Sequence, residues 1–209
     1  RELFAGDRAA EGLALLSRIV RENPTREALA SWLKNELTHR NFPRPILPAL
    51  EHPDIVNSVQ FTPDGNWLLT VCRDNAARVF AVATGQMLTP PLQHDPTLIR
   101  GDQYRGGLHA LHADISPDGT RIATASCDAT ARLWDTTTGE PLTPPLVHPD
   151  YVSYVRFRPD GEMFVTCCKD GKVRFWEPAS GKPTGMVLEH RDWANSAEFS
   201  PDGRLLVTT

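Results

Sequence analysis

Asp114-Ile115-Ser116-Pro117-Asp118-Gly119-Thr120-Arg121-Ile122-Ala123-Thr124-Ala125-Ser126-Cys127-Asp128-Ala129-Thr130-Ala131-Arg132-Leu133-Trp134-Asp135 is the stretch from which the fold of this chain can be read. It predicts a strand end, a Pro-Asp-Gly turn, a second strand, a tight turn at Asp128 and a third strand ending at Trp134-Asp135. The phrase recurs on either side. Thr62-Pro63-Asp64-Gly65 leads to Arg78-Val79-Phe80, and Arg158-Pro159-Asp160-Gly161 leads to Arg174-Phe175-Trp176. Ser200-Pro201-Asp202-Gly203 opens a further copy that the chain does not finish.

The spacing is regular. The turn aspartates Asp64, Asp118, Asp160 and Asp202 lie 54, 42 and 42 residues apart, and the histidines His52, His94, His148 and His190 lie 42, 54 and 42 apart. Each histidine precedes its turn aspartate by 12 residues, except His94, which precedes Asp118 by 24. The period is therefore 42, with a 12-residue insertion between His94 and Asp118. A unit of that length carrying four short strand patterns fits one blade of a propeller.

These units resemble WD repeats over roughly residues 44 to 209. Only Trp134-Asp135 spells the signature dipeptide, with Trp176-Glu177 and Phe80-Ala81 as variants, and the family's Gly-His pair is replaced by Glu51-His52, Gln93-His94, Val147-His148 and Glu189-His190. Four histidines and four Pro-Asp-Gly turns in one frame carry the resemblance. It implies an all-β fold: a partial WD-repeat β-propeller of three blades and part of a fourth, over residues 43–209. It also implies an internal hydrogen-bonded tetrad, matched completely at His94, Ser126, Asp128 and Trp134. The third unit offers His148, Asp170 and Trp176 with Cys168 in the hydroxyl position. The first offers His52, Asp74, Cys72 and Phe80, lacking both the hydroxyl and the indole donor. The tetrad is a fold device, giving buried polar groups the partners whose loss costs ~1–3 kcal/mol.

Residues 1–42 read as a helical hairpin. Leu13, Leu16, Ile19 and Val20 recur at helical spacing, Asn23-Pro24 makes a stop and restart, and Leu29, Trp32, Leu33 and Leu37 share a face. Gly12, Leu16, Ile19 and Pro24 resemble the second helix of a tetratricopeptide unit; a plain hairpin capping the propeller, or the tail of a preceding domain, are the other readings. Residues 44–51 align with Gln86 to Gln93 and Glu140 to Val147, so the resemblance implies a strand at 45–51 that closes the last blade. Met87 to Leu92 is the expected fourth strand of the first unit. Its Thr89-Pro90-Pro91, repeated as Thr143-Pro144-Pro145, places it on a sheet edge, because proline cannot donate to a ladder.

Composition narrows the function. A chain of 209 residues, 40% hydrophobic and 23% charged, with net charge −4, is ordinary for a globular protein and gives no reason to expect nucleic acid. No apolar run reaches the ~18 residues of a membrane span. Cys72, Cys127, Cys167 and Cys168 fit neither a metal-ligand spacing nor a disulfide framework, which favours reduced thiols in the cytoplasm. Residue 1 is arginine and the fourth unit is unfinished, so the chain reads as part of a longer polypeptide. Open blade edges would then invite self-association.

Three features are candidates for function. The residue three after each histidine is Ile55, Tyr151 or Trp193, with His109 in the same register of the second unit. In the WD family this position opens onto the top rim near the central channel, where aromatic side chains anchor partners. Arg73, Cys127 and Lys169, each before its turn aspartate, resemble the neighbouring rim position. The plain alternative is that the aromatics only cover the first strand. The second feature is the insertion, with Arg100, Tyr104 and three glycines, a long loop of the kind that carries specificity. Arg100-Gly101-Asp102 within it spells an adhesion tripeptide too short to weigh. The third is His109-Ala110-Leu111-His112-Ala113-Asp114. On a strand, residues i and i+3 face opposite ways, so no metal is expected. No cofactor or catalytic residue is expected either: the vicinal Cys167-Cys168 has no matching histidine, and no phosphate loop occurs.

The resulting expectation is a non-enzymatic scaffold whose rim holds a protein or peptide. Thr-Gly-(Gln/Glu)-(Met/Pro)-Leu-Thr-Pro-Pro-Leu resembles repeats of large bacterial multidomain proteins, in which propellers follow Ser/Thr kinase or signalling-ATPase domains. The competing expectation is a propeller enzyme centred on the channel, or the regulatory part of a kinase or ATPase whose catalytic domain lies outside this segment. Val59, Phe61, Val155, Phe157 and Phe199 on the inner strands speak against channel chemistry.

Overall fold

Four Pro-Asp-Gly turns reverse the chain in the same way. Their glycines have φ of 72° at Gly65, 71° at Gly119, 73° at Gly161 and 69° at Gly203, a region that a residue without Cβ enters at least cost. The turn aspartate locks the reversal. Its carboxylate accepts from Thr62 (2.6 Å), Ser116 (2.5 Å) or Ser200 (2.5 Å) two residues back, and from the main-chain N–H two residues ahead. In the third unit the Arg158 Nε takes the place of the hydroxyl, 2.8 Å from Asp160.

The structure, a computed structural model, describes residues 49–95, 97 and 112–209. The chain divides into two units, Arg1–Ile46 and Leu47–Thr209, and the described residues belong to the second. The first sheet has the order β1 (Val56–Phe61), β2 (Trp67–Cys72), β3 (Ala76–Ala81) and β4 (Leu92–Gln93). The second repeats it with β5 (His112–Ile115), β6 (Arg121–Ala125), β7 (Thr130–Asp135) and β8 (Leu146–Val147). The third consists of β9 (Val152–Phe157), β10 (Phe164–Cys168), β11 (Lys172–Glu177) and β12 (Lys182–Glu189), and β13 (Ala197–Phe199) pairs with β14 (Leu206–Thr208) to begin a fourth. Every pairing is antiparallel. The described residues are thus all-β, successive four-stranded blades of a partial propeller.

The expected fourth strand from Met87 to Leu92 is shorter than read. In the first two blades it shrinks to two residues plus one isolated bridge, Phe80 to Met87 or Trp134 to Pro141. Two consecutive prolines remove two ladder donors, and pairing resumes only beyond them. The third blade carries Lys182-Pro183-Thr184-Gly185-Met186-Val187-Leu188-Glu189 instead, and there the strand runs eight residues.

Successive blades bury their facing sides against one another. Leu69, Val71 and Val79 of the first pack on Ala113, Ile115, Ile122 and Trp134 of the second. Ala123, Ala131 and Leu133 of the second pack on Val155, Phe157, Phe164 and Trp176 of the third, and Val165, Val173 and Phe175 meet Ala194 and Ala197 beyond. Each large side chain so buried contributes ~1.5–3 kcal/mol, so the seams between blades carry the core. The expected helical hairpin, 1–42, lies outside the described residues. So does most of the closing strand at 45–51, of which residues 49–51 form no strand.

Candidate partner-binding rim

The rim stands on the polar interior of each blade. In the second, Trp134 Nε1 donates to Thr124 Oγ1 at 2.8 Å, Thr124 Oγ1 lies 2.6 Å from His94 Nε2, and His94 Nδ1 lies 3.0 Å from Asp128. The hydroxyl of the network is therefore Thr124, not Ser126 as the sequence suggested. Ser126 instead accepts from the Asp128 N–H (3.1 Å) and donates across the blade seam to Asn75 Oδ1 (2.9 Å). The reason is reach along one strand face: His94 and Trp134 meet the mid-strand residue, while Ser126, two positions on and on the same face, already sits at the turn.

That shift of two residues changes the reading of the other blades. His148 Nε2 is 2.8 Å from Thr166 Oγ1, which also accepts from Trp176 Nε1 at 2.9 Å. His52 pairs with Thr70 (2.8 Å) and His190 with Thr208 (2.9 Å). No hydroxyl is missing in the first or third blade. Cys72 and Cys168 occupy the Ser126 register and donate to the carbonyls of Asp54 and Asp150, each at 3.2 Å. The aspartates differ too. Asp74 and Asp170 hold Arg78 and Arg174 through both carboxylate oxygens, whereas Asp128 gives one oxygen to the Thr130 hydroxyl (2.7 Å) and the other to His94.

On this base the strand ends present the rim. The residue before each turn aspartate is tied by its N–H to the loop residue read as an anchor: Arg73 to the Ile55 carbonyl and Lys169 to that of Tyr151, both at 2.9 Å. Asp54, Asp150 and Asp192 in turn accept from the N–H of Ile55, Tyr151 and Trp193 at 2.6, 2.7 and 2.8 Å. The Lys169 ammonium lies 4.2 Å from the Trp193 ring centroid and 5.7 Å from that of Tyr151, bridging two units. Such cation–π contacts contribute ~0.5–1 kcal/mol at exposed sites.

Not all expected rim residues are offered to a partner. Trp193 is 50% exposed and Ile55 56%, but Tyr151 is only 8% exposed and Cys127 is buried. Tyr151 is closed off, with the Lys169 ammonium facing its ring. The exposed part of the rim is thus Ile55 at one end and Trp193 with Lys169 at the other. Arg73 reaches Asn57 Oδ1 at 3.4 Å. Arg100, Tyr104 and His109 lie outside the described residues.

A second set of side chains escaped the sequence reading. Gln60, Asp114, Arg156 and Glu198 each stand four residues before a turn aspartate and join into one chain along the first strands of the blades. Gln60 Nε2 (2.9 Å) and Arg156 (3.3 Å) donate to Asp114 Oδ1, the Phe157 N–H (2.7 Å) donates to Oδ2, and Arg156 Nε lies 3.1 Å from Glu198. The Tyr154 hydroxyl donates to Glu198 at 2.8 Å, and His112 stacks on the Tyr154 ring. Burial raises the Asp114 carboxyl, and its three donors hold it in place. Aligning the four units column by column would have found this set, because it occupies a single register position.

The arrangement is suited to contact more than to chemistry. Burial pushes the Cys167 and Cys168 thiols up to about 12 and about 11, so they remain protonated. Among the described residues no group of three His, Cys, Asp or Glu could hold a metal, and no helix is long and apolar enough to cross a membrane.

The family model of the WD domain, G-beta repeat, matches residues 46–80, 104–135 and 140–177. The chain is similar to WD repeat-containing protein 1 of Gallus gallus, 33% identical over 85 residues that make up 41% of this chain and 12% of that protein. It is also similar to eukaryotic translation initiation factor 3 subunit I of Emericella nidulans, 34% identical over 98 residues, 46% of this chain and 25% of that protein. It therefore spans a quarter or less of the length of these relatives. The crystal structure of the computationally designed Ika4 protein superimposes with a TM-score of 0.61 at 17% identity, covering 80% of this chain and 92% of that one. That likeness is one of fold.

Proposed function

Because the chain belongs to the WD-domain, G-beta-repeat family, we propose that it is a non-enzymatic protein-interaction scaffold whose rim holds a protein or peptide partner. The observation that carries this reading is Trp193, half exposed beside the Lys169 ammonium. An aromatic ring with an adjacent cation is the pattern of an interface anchor. The repeated Thr-Gly…Thr-Pro-Pro phrase supports a further assignment: the sensory or regulatory propeller of a larger, cytoplasmic signalling protein of the bacterial multidomain kind. On the other side, a channel-centred enzyme can cite buried Asp114, yet Gln60, Arg156 and the Phe157 N–H already occupy that carboxylate.

The test is capture of partners from lysate of the source cell, with the chain and its Trp193→Ala and Lys169→Ala variants as bait. A partner kept by the parent and lost by both variants, at unchanged melting temperature, is the expected outcome. Equal capture by all three would remove the rim from consideration.

A further inference from the structure

At the end of the strands opposite the rim, the first two blades enclose a cleft of about 280 Å³. Trp67 forms one wall, Asp64 and Asp118 flank it, and Thr62, Thr120 and Thr137 supply hydroxyls. β2 begins at Trp67 and ends at Cys72 beside the rim, so the two surfaces are separated by the length of a strand, roughly 17 Å. Both the aromatic and the charge are peculiar to this seam. The register of Trp67 holds Arg121, Met163 and Leu205 in the other units. Asp160 is paired with Arg158 and Asp202 with Arg204, whereas Asp64 and Asp118 have no ion pair among the described residues.

The two carboxylates stay ionised. Hydrogen bonds from Thr62 and Asn66 hold Asp64 below the usual range. Asp118 is also lowered: burial works against it, but Ser116 and Thr120 donate to it, and Arg121 adds attraction at a distance. Trp67 is partly buried against the core, so its ring is fixed before anything binds.

We infer that this cleft is a second docking site, independent of the rim, which takes an arginine side chain of a partner peptide. The guanidinium lies against Trp67 and between Asp64 and Asp118. Arginine fits better than lysine, because its planar fork both stacks on an indole and donates to two carboxylates. The volume falls just below the ~300–1,000 Å³ typical of small-molecule sites, which suits one side chain and not a cofactor.

The experiment titrates acetyl-Gly-Arg-Gly-amide into the whole chain, followed by indole fluorescence and by the chemical shift of the Trp67 side-chain N–H. The citrulline peptide, neutral and of the same shape, is the control. A single side chain should bind with Kd on the order of 1 mM. The citrulline peptide should be weaker by about tenfold, as should the arginine peptide on D64N/D118N, since a desolvated charged contact is worth that much. Asparagine keeps the oxygen that accepts from Thr62 or Ser116 and from the main-chain N–H ahead, and gives up only the exposed bond from the Asn66 amide or the Thr120 hydroxyl to the second oxygen, so the double variant remains folded. W193A should leave this titration unchanged, and D64N/D118N should leave rim capture unchanged, so the two surfaces fail separately. Absence of a saturable Trp67 shift, equal binding of citrulline, or unchanged binding by D64N/D118N would each overturn the site.

Discussion

His94 Nδ1 lies 3.0 Å from Asp128 Oδ2 with both side chains sealed from solvent, and this neutral donor on a buried carboxylate ties the blade to its turn. The Trp134 N–H donates to Thr124, the Thr124 hydroxyl donates to His94 Nε2, and Nδ1–H donates to Asp128. The order leaves no room for a second ring proton. Burial accordingly lowers the pKa of His94, and lowers His148 and His112 to about 4. A histidine depressed below its unfolded value of 6.5 contributes stability that is complete above that value and is lost as pH falls toward 4. Stability should therefore drop between pH 7 and 4.5, by on the order of 2 kcal/mol at pH 5 for each of His148 and His112, with His94 acting in the same direction. Asp128, held down to about 2 chiefly by the hydrogen bond from His94 against the cost of burial, adds its loss only below that window. Urea midpoints across the range decide it; a flat profile would mean that these histidines titrate in the folded chain as they do in the unfolded one.

Thr124→Val strands both the His94 Nε2 and the Trp134 N–H in the core, and an unmet buried group costs ~1–3 kcal/mol. A loss of about 2–4 kcal/mol is expected. Ser126→Ala removes the bond to Asn75 and one to a main-chain N–H and should cost about 1 kcal/mol. Chemical denaturation of the two variants separates them. The reverse order would restore the hydroxyl role to Ser126.

Much of the architecture is legible in the sequence, and the boundary of what is not has a physical cause. The second and third strands of the quoted stretch emerge as read, at Arg121–Ala125 and Thr130–Asp135, because turns pinned by Asp118-Gly119 and Asp128 fix where each begins. Sequence alone does not separate Thr124 from Ser126, which lie two positions apart on one strand face, and only the reach of His94 distinguishes them. The burial of Tyr151 is not legible in the sequence, because a residue that faces its ring, Lys169, comes from 18 residues away. The Asp114–Arg156–Glu198 chain crosses three units, a relation that periodicity within one unit does not display.

Ala129 has a positive φ of 63° in the turn where the third blade uses Gly171 at 79°. A left-handed conformation costs a residue with Cβ ~1–2 kcal/mol, and glycine returns part of that in chain entropy. Ala129→Gly should therefore raise stability by up to about 1 kcal/mol. Gly171→Ala should do the opposite and more. An added Cβ would stand 2.9 Å from the His190 carbonyl oxygen and 3.0 Å from that of Asp192, so a loss above ~2 kcal/mol is expected from strain and clash together. Melting curves of the pair test the turn assignment, which is wrong if both variants move the same way.

Val59 and Phe61 hold the same register as Val155 and Phe157, yet they are 62% and 60% exposed where the latter are 0% and 4%. The first blade thus presents to solvent the face that the third buries against its neighbour. At the far end Leu205 and Val207 stand similarly open. A patch of this kind drives association, so the 209-residue chain should elute from a sizing column as concentration-dependent oligomers. Val59→Lys with Phe61→Lys should shift elution toward monomer with little change in melting temperature, because no seam is disturbed. Val155→Lys should unfold the protein instead, since an unpaired ammonium in the core costs several kcal/mol. The repeat makes this a controlled comparison: identical substitutions at one register position, solubilising on an open face and destructive in a closed one. Oligomers that persist in the double lysine variant would show that association uses another surface.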